Sequence, residues 1–366
     1  MSAFAAELVA LVPWDDEQQG VPSRFIDHPM FSWGVPGQTR RVRAPVRLRL
    51  DRDGGLHLAA DGSGIVHLAA DGSSLGRTPL AERRGPLTDY ACDADGDCAV
   101  LEEGGRLRGV DRGGGERWSV ETAATKVLST GDRLYLPAAE GLDELDARSG
   151  ARLRTLSRRA GAGEPFLGGG RIVSRFFDDQ RELRGIEALD PDGDAEELAG
   201  GEKHYAWLVH PFGADARSRL YVWRDAQVGR VGLDGAIEVL GAVEGIAVKD
   251  GAVYTSRPTA GGVVVTGPDG DATLAAPPEH RLISIDPGGR YHLMGGEAPD
   301  SGGELRTYGA DGQLEATAPA PEDLAGIDCR VPGFRAWQVA PDGRIVIPVV
   351  TPEGVAVVGL DRRQAR

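Results

Sequence analysis

The stretch VRLRLDRDGGLHLAADGSGIVHLAADGS, residues 46–73, indicates the fold because it contains a complete copy of a unit that recurs along the chain. An apolar strand leads into a turn with Asp and Gly, and a second strand follows the turn. About twenty residues beyond the first turn comes another turn with Asp and Gly. Alternating apolar residues with these turns predict short antiparallel strands and no helices.

Seven further units follow this one. They begin at Thr88, Thr125, Glu164, Tyr205, Glu244, Arg281 and Arg335. The first turns of the eight units fall at a glycine in every unit except the fifth, which has a serine: Gly54, Gly96, Gly131, Gly170, Ser218, Gly251, Gly289 and Gly343. A mean spacing of about 41 residues is typical of a four-stranded propeller blade. We therefore predict an all-β chain that forms a single β-propeller of about eight four-stranded blades, with seven as the alternative.

The composition supports many tight turns and excludes several partners. The chain has 366 residues, with 53 Gly, 23 Pro and a formal net charge of −15. An acidic surface repels nucleic acid and anionic lipid, so we expect neither as a partner. The N-terminus predicts no secretory signal, and no apolar run is long enough for a membrane span. Three cysteines do not indicate a disulfide framework, and we expect a cytoplasmic protein whose thiols stay reduced.

We divide the chain into two regions. Residues 1–44 form an N-terminal arm, and residues 45–366 form the propeller. The apolar run Glu7–Val12 resembles an edge strand, and we predict that it completes the last blade and closes the ring. A loose arm is the alternative. Aromatic residues between Trp14 and Trp33 suggest that the arm covers one end of the channel, packs on the propeller or docks a partner.

Two of the units resemble known propeller repeats. Residues 134–156, LYLPAAEGLDELDARSGARLRTL, are similar to pyrroloquinoline-quinone-type repeats. Residues 219–240, RLYVWRDAQVGRVGLDGAIEVL, resemble the repeats of NHL proteins and of streptogramin (virginiamycin B) lyases, and the general pattern is WD40-like. The resemblance implies a propeller but no activity, because such repeats serve enzymes, scaffolds and sensors alike. Only Trp118 stands where the quinone enzymes carry their repeated Trp motif, so we predict no cofactor.

The starts of the innermost strands supply the candidate binding residues, because those strands line a propeller's channel. Charged and aromatic side chains there suit a protein partner or a small polar ligand. These candidates are Asp89, Tyr90, Lys126, Glu164, Tyr205, Trp207, Arg281, Arg335 and Trp337.

Histidines near the same strands are the weaker, catalytic candidates. His204 and His210 bracket a predicted strand, and their even separation places them on one side of it but about 20 Å apart. His280 begins another inner strand, where a carboxylate such as Glu244 or Glu279 makes it a possible general base. An ordinary exposed loop histidine is the alternative at each position.

The segment Cys92-Asp93-Ala94-Asp95-Gly96-Asp97-Cys98 has acidic residues at alternate positions, as at the start of a calcium loop. No Glu follows at the EF-hand distance, and the segment also matches the ordinary turn at Asp51–Gly54, so we favour a turn and keep calcium as the alternative. The two cysteines can pair across a hairpin, whereas zinc needs more ligands than these two sulfurs.

The sequence has strong repeats and no recognised catalytic motif. We therefore predict a non-catalytic propeller that binds a protein partner or anchors an assembly. Subunits of this general form occur in contractile, phage-tail-like injection systems. The alternative is a small-molecule lyase, isomerase or cyclase with its site at the channel mouth, and a quinone dehydrogenase is the weakest option.

Overall fold

A computed structural model describes most of the chain. The described residues are 4–14, 25–29, 39–43, 46–59, 64–80, 87–138, 141–157, 165–177, 183–190, 195–200, 210–224, 227–232, 236–242, 245–286, 288–295, 304–319, 337–351 and 353–362. Within these ranges the chain forms strands and turns without any helix. These ranges accordingly include no helix with the length and apolar character that a bilayer crossing requires.

The described residues form eight four-stranded antiparallel sheets. Seven of them follow the chain order from the innermost strand outward, and the eighth ends in the N-terminal strand of the chain. Sheet 1 holds β4 (Arg47–Leu50), β5 (Leu56–Ala59), β6 (Gly64–Leu68) and β7 (Ser74–Pro79); sheet 2 holds β8 (Leu87–Cys92), β9 (Cys98–Glu102), β10 (Arg106–Val110) and β11 (Glu116–Glu121). Sheet 3 holds β12 (Leu128–Ser129), β13 (Arg133–Ala138), β14 (Gly141–Asp146) and β15 (Arg152–Ser157); sheet 4 holds β16 (Phe166–Gly168), β17 (Arg171–Phe177), β18 (Leu183–Leu189) and β19 (Ala195–Gly200).

The second half of the chain repeats this pattern. Sheet 5 holds β20 (Pro211–Ala214), β21 (Leu220–Arg224), β22 (Gln227–Val231) and β23 (Ile237–Ala242); sheet 6 holds β24 (Gly245–Lys249), β25 (Ala252–Thr259), β26 (Gly262–Gly267) and β27 (Gly270–Leu274). Sheet 7 holds β28 (Arg281–Ile285), β29 (Tyr291–Met294), β30 (Glu304–Tyr308) and β31 (Leu314–Pro319); sheet 8 holds β32 (Gln338–Val339), β33 (Ile345–Val350), β34 (Gly354–Arg362) and β1 (Phe4–Pro13). The prediction of an all-β propeller with eight four-stranded blades is confirmed.

The N-terminal strand closes the last sheet. β1 pairs antiparallel with β34 from Phe4 opposite Arg362 to Pro13 opposite Gly354, with one register shift near Val9. This pairing covers an edge that would otherwise present unpaired backbone groups. The predicted closing strand is confirmed, and it extends beyond Glu7–Val12 at both ends. Farther along the arm, β2 (Phe25–Pro29) and β3 (Thr39–Arg43) form a separate two-stranded hairpin.

The first turn of every sheet has the backbone conformation that its sequence predicts. All eight predicted turn residues have positive φ, from 57° at Ser218 to 99° at Gly131. Glycine adopts this left-handed region without a steric penalty, whereas a side chain disfavours it. Ser218 is the exception among the eight, and its hydroxyl donates to the carbonyl of Gly168 at 2.9 Å. That bond joins the turn of sheet 5 to sheet 4.

Six of the eight innermost strands surround the central channel. β4, β8, β12, β16, β20 and β32 lie side by side in that order, and β32 returns to β4. Sheet 5 thus contacts sheet 8 directly, with the ring centroids of Phe212 and Trp337 5.7 Å apart and those of Trp223 and Trp337 5.0 Å apart.

Sheets 6 and 7 pack as a pair beside this ring. β24 lies against β28, while β24 and β25 contact β33 and β1 of sheet 8. One face of sheet 8, including Ile345 and Ile347, shares a core with sheet 5 and with Ile246 of sheet 6. The eight repeats are local features of the sequence, whereas this packing order depends on contacts between distant sheets.

Candidate functional site

The central channel is narrow and has mixed polarity. Its cavity measures about 330 Å³, and its wall includes Arg49, Leu128, Phe166, Gln338 and the backbone around Gly168. These residues come from sheets 1, 3, 4 and 8, so the channel depends on the assembly of the ring. A cavity of this volume lies at the lower end of the range for small-molecule sites.

Asp89, a predicted binding residue, joins three sheets at the channel. Its carboxylate accepts hydrogen bonds from Nε of Arg49 at 3.0 Å and from the backbone N–H of Val127 at 3.1 Å. The Asp89 side chain is buried, while that of Arg49 remains 20% exposed. Burial opposes the charge on Arg49, but the Asp89 carboxylate outweighs it and raises the pKa of Arg49. Asp89 therefore stabilises the contact between sheets 1, 2 and 3.

Tyr90 and Trp337 lie within sheet interfaces. The Tyr90 hydroxyl is 2.8 Å from the carbonyl of Arg47 and 2.7 Å from that of His57, and it donates its proton toward them. Burial raises the pKa of Tyr90 well above its usual range. Trp337 packs between Phe212 and Trp223. Both side chains are buried and hold neighbouring sheets together.

Lys126 lies near the channel wall, half-buried, with its Nζ 5.4 Å from the ring centroid of Phe166. This is a cation–π distance and joins sheet 3 to sheet 4. Arg281 is exposed at the start of β28 in sheet 7, outside the six-strand channel. The remaining predicted binding residues lie outside the described part of the chain: Glu164, Tyr205, Trp207 and Arg335.

The catalytic candidates belong to separate sheets. His210 is exposed just before β20, so the described inner strand of sheet 5 begins after the predicted strand at 204–210. His280 is buried in sheet 7, with Nε2 3.5 Å from Oε1 of Glu304 and Nδ1 3.9 Å from Oε1 of Glu279. His204 and Glu244 lie outside the described residues. The described histidines in this set do not converge on the channel.

A groove opens on the rim formed by the first turns of sheets 1, 2 and 3. Its volume is about 430 Å³, and its wall contains six aspartates and three arginines: Asp51, Asp53, Asp93, Asp95, Asp97, Asp132, Arg52, Arg117 and Arg148. Arg52, Asp53, Asp95, Asp132 and Arg148 are exposed. We call this surface the rim groove. It is larger than the channel cavity and carries an excess of negative charge.

The aspartates proposed for calcium form a turn. Oδ1 of Asp93 accepts the backbone N–H groups of Asp95 and Asp97, each at 3.0 Å. Asp97 pairs with Arg117 at 2.6 Å. Asp51 accepts the same two kinds of backbone bond in sheet 1, from Asp53 and Gly55. The geometry matches the turn interpretation of this segment, and calcium binding remains the untested alternative.

Cys92 and Cys98 form a disulfide, contrary to the expectation that these thiols stay unpaired. They are the register partners at the end of the hairpin between β8 and β9. Their Cα atoms are 4.1 Å apart, so the hairpin itself brings the sulfurs together. The six-residue spacing of the cysteines allows pairing across the turn, and the expectation of reduced thiols came from the predicted cytoplasmic compartment.

Sequence reasoning missed the histidines beside this disulfide. His57 and His67 stand opposite each other on β5 and β6, and their Nδ1 atoms are 2.7 Å apart. Nε2 of His67 is 2.8 Å from the Thr78 hydroxyl, which donates to the carbonyl of Gly96 at 3.0 Å. The Thr78 oxygen therefore accepts the proton of His67 Nε2. This chain of contacts joins sheet 1 to the first turn of sheet 2.

The same cluster is strongly shielded from water. Burial, reinforced by the charge of His57, lowers the pKa of His67 to about 3. Nε2 of His57 faces Oδ2 of Asp51 at 3.4 Å. The sequence did contain a signal for the pair: HLAADGS occurs at 57–63 and again at 67–73, a spacing at which a short hairpin can place the two histidines face to face.

Comparisons with known proteins show no shared family. No family model matches the chain, and no curated protein matches it. Among solved structures, BamB from Moraxella catarrhalis is 17% identical, with 87% of this chain and 96% of that chain covered and a TM-score of 0.39. The C-terminal WD40 domain of Sif2 is 11% identical, with 98% and 97% covered and a TM-score of 0.41. A streptogramin B lyase is 12% identical, with 93% and 98% covered and a TM-score of 0.30.

These likenesses carry no argument about activity or partner, because the identities and the TM-scores are low. The architecture rests on the sheets of the chain itself: eight four-stranded sheets, a channel lined by innermost strands and an N-terminal strand that completes the last sheet. The chain is a β-propeller repeat protein.

Proposed function

We propose that this propeller is a non-catalytic protein-binding subunit of the cytoplasm, and that the rim groove docks its partner. The observation that carries the proposal is the groove itself, about 430 Å³ in volume, with exposed charged side chains at its edge. The loops and turns at one rim are the part of a propeller whose sequence can vary most freely, because the strands beneath them keep their positions.

The chemistry of the groove favours a basic segment on the partner. Its six aspartates outnumber its three arginines, and the chain as a whole carries a net charge of −15. Complementary charge accelerates encounter and excludes acidic competitors. A segment with Lys or Arg side chains, inserted between the turns of sheets 1, 2 and 3, would meet Asp53, Asp95 and Asp132.

The polar groups of the channel favour binding over catalysis. Arg49 and Asp89 hold each other across sheets 1 and 2. A general acid or base needs a reacting atom within hydrogen-bond reach. His280, the buried catalytic candidate, lies in sheet 7 beside the ring. No observation on the described residues favours a lyase, isomerase or cyclase at the channel mouth.

The test is charge reversal at the groove. The double variant Asp53→Lys/Asp95→Lys changes two exposed side chains of the rim groove. Glu103→Lys is the matched control, because Glu103 is exposed in sheet 2 at the opposite rim. Partners are captured from the native host by in-cell crosslinking and identified by mass spectrometry, and their affinity is then measured at several salt concentrations.

We expect one partner to be lost in the double variant and retained with Glu103→Lys, with a wild-type affinity that falls as salt rises. Equal recovery of every partner by the double variant and the wild type would remove the groove from the proposal. A co-purifying small molecule that the chain converts would replace binding with catalysis.

A further inference from the structure

Three side chains able to bind a metal converge beneath the rim groove, and a fourth is bonded to one of them. His57 and His67 belong to sheet 1, and Cys92 and Cys98 belong to sheet 2. Ligand atoms of His57, His67 and Cys92 all lie within 4.8 Å of one another, and all three residues are buried. Cys98 is bonded to Cys92 and is buried as well. Two imidazoles and two sulfurs are a common ligand set of structural zinc sites.

The neighbours of the two histidines orient them for this role. Asp51 faces Nε2 of His57 at 3.4 Å, and Thr78 holds Nε2 of His67 at 2.8 Å. The Nδ1 atoms therefore point toward each other, 2.7 Å apart. Metal-binding histidines characteristically use one ring nitrogen as the ligand while a carboxylate, carbonyl or water holds the other. The Thr78 hydroxyl holds Nε2 of His67 in this way, whereas Asp51 faces Nε2 of His57 at an ion-pair distance without a hydrogen bond.

We propose that His57, His67, Cys92 and Cys98 bind one zinc ion when the Cys92–Cys98 disulfide is reduced. Tetrahedral zinc requires about 3.4 Å between two nitrogen ligands and about 3.8 Å between two sulfur ligands. The two Nδ1 atoms, now 2.7 Å apart, must therefore move apart by less than 1 Å. The two sulfurs can move to their required distance once the bond between them is broken. The site goes beyond partner docking, and it stands or falls independently of the rim groove.

The redox step is a two-electron exchange with a thiol reductant. Two reductant thiols break the Cys92–Cys98 bond, become a disulfide themselves and leave two protonated cysteine thiols on the chain. Zinc then displaces the thiol protons, together with the proton that lies between the two Nδ1 atoms. Oxidation reverses the sequence: the sulfurs re-form their bond and the zinc ion leaves.

The two states connect the sheets differently. The disulfide joins β8 to β9 within sheet 2 alone. A zinc ion on the four side chains joins sheet 1 to sheet 2 directly beneath the rim groove, whose wall includes Cys92 and Cys98. A reducing cytoplasm favours the zinc form, whereas an oxidising compartment favours the disulfide.

Cobalt binding provides the test, because Co²⁺ reports its ligands by absorption. The full-length chain is prepared oxidised and phosphine-reduced, and Co²⁺ is added to each and then displaced with Zn²⁺. We expect the reduced chain to show tetrahedral d–d bands with a thiolate-to-cobalt charge-transfer band, and the oxidised chain to show neither. Zinc should abolish the bands, and peroxide should release the zinc in step with disulfide formation.

Variants assign the ligands. His57→Gln, His67→Gln and Cys92→Ser/Cys98→Ser should each lose the tetrahedral cobalt spectrum, while Cys329→Ser, at the third cysteine, should keep it. Thermal unfolding of each variant shows whether it is folded, and the oxidised wild type is a control that needs no substitution. A reduced wild type without the charge-transfer band, or an unchanged spectrum in folded His57→Gln and His67→Gln, would overturn the site.

Discussion

Gly213 of sheet 5 lies directly against Val339 of sheet 8. A Cβ atom at position 213 would be 2.5 Å from Cγ2 of Val339 and 3.2 Å from its backbone nitrogen. Both residues lie on innermost strands, β20 and β32. This close approach joins two sheets that are far apart in sequence, and it closes the six-strand channel.

We expect Gly213→Ala to destabilise the chain because no space exists for the added methyl group. Overpacking a core costs about 1–3 kcal/mol of unfolding free energy. Denaturant unfolding measures the effect, and the double variant Gly213→Ala/Val339→Ala should recover part of the loss. Gly261→Ala is the control, because a Cβ there meets no atom within 4 Å. Equal stability of Gly213→Ala and the wild type would contradict the contact between sheets 5 and 8.

Removal of residues 1–13 should destabilise the ring and expose β34. Phe4 and Val12 are buried in β1, and loss of two such side chains costs about 3 kcal/mol or more. The bared edge of β34 invites pairing with another chain. Light scattering should show association of the truncated chain, and a synthetic peptide with the sequence of residues 3–14 should suppress it. A monomeric truncated chain with wild-type stability would disprove a closing role for β1.

Asp89→Asn should destabilise the channel wall more than an exposed charge change does. The substitution leaves the Arg49 guanidinium, 20% exposed, without the carboxylate that accepts its hydrogen bonds. Loss of one partner from a buried ion pair costs about 3–5 kcal/mol. Asp53→Asn, on the exposed part of the rim, should change the unfolding free energy far less. Similar losses in the two variants would show that Asp89 is not a structural junction.

Stability should fall as the pH drops below the ordinary pKa of histidine, in part because of His292. Burial lowers the pKa of His292 and outweighs Asp286 and Glu315, which oppose the shift, while Arg290 assists it. The unfolded chain takes up a proton near pH 6.5, and the folded chain does so only at lower pH. The free energy of unfolding should therefore decrease with falling pH in this window.

His292→Gln tests this assignment. We expect the unfolding free energy of the variant to fall less steeply than that of the wild type between pH 7 and pH 5. The substitution also removes the contact to Thr307, so each protein is compared with its own stability at pH 8. Urea unfolding at each pH provides the slopes. Parallel curves for variant and wild type would remove His292 from the pH dependence.

The candidate site was only partly predictable from the sequence. Asp89 and Lys126 were predicted near the channel because they lie at the starts of innermost strands. Asp89 is buried behind the wall and bonds to Arg49, which lines the cavity, and Lys126 lies beside Phe166 of that wall. Tyr90 and Trp337 satisfied the same rule but lie buried between sheets, since a strand's alternation alone does not show which neighbour covers each face. The rim groove was not anticipated as one surface, because its aspartates come from three separate turns.

The sequence by itself determined the repeats and the position of each first turn, because these depend on residues close together in the chain: Asp and Gly at turns, and apolar alternation along each strand. The closing strand was predictable for another reason, since the last blade needs a partner for its exposed edge and the N-terminal apolar run supplies one. Only the tertiary structure decided that Gly213 meets Val339 while sheets 6 and 7 lie beside the ring. It also decided that His57 and His67 face Cys92 and Cys98. Contacts between sheets depend on how complementary surfaces pack, and residues distant in sequence carry no local pattern that reports such packing.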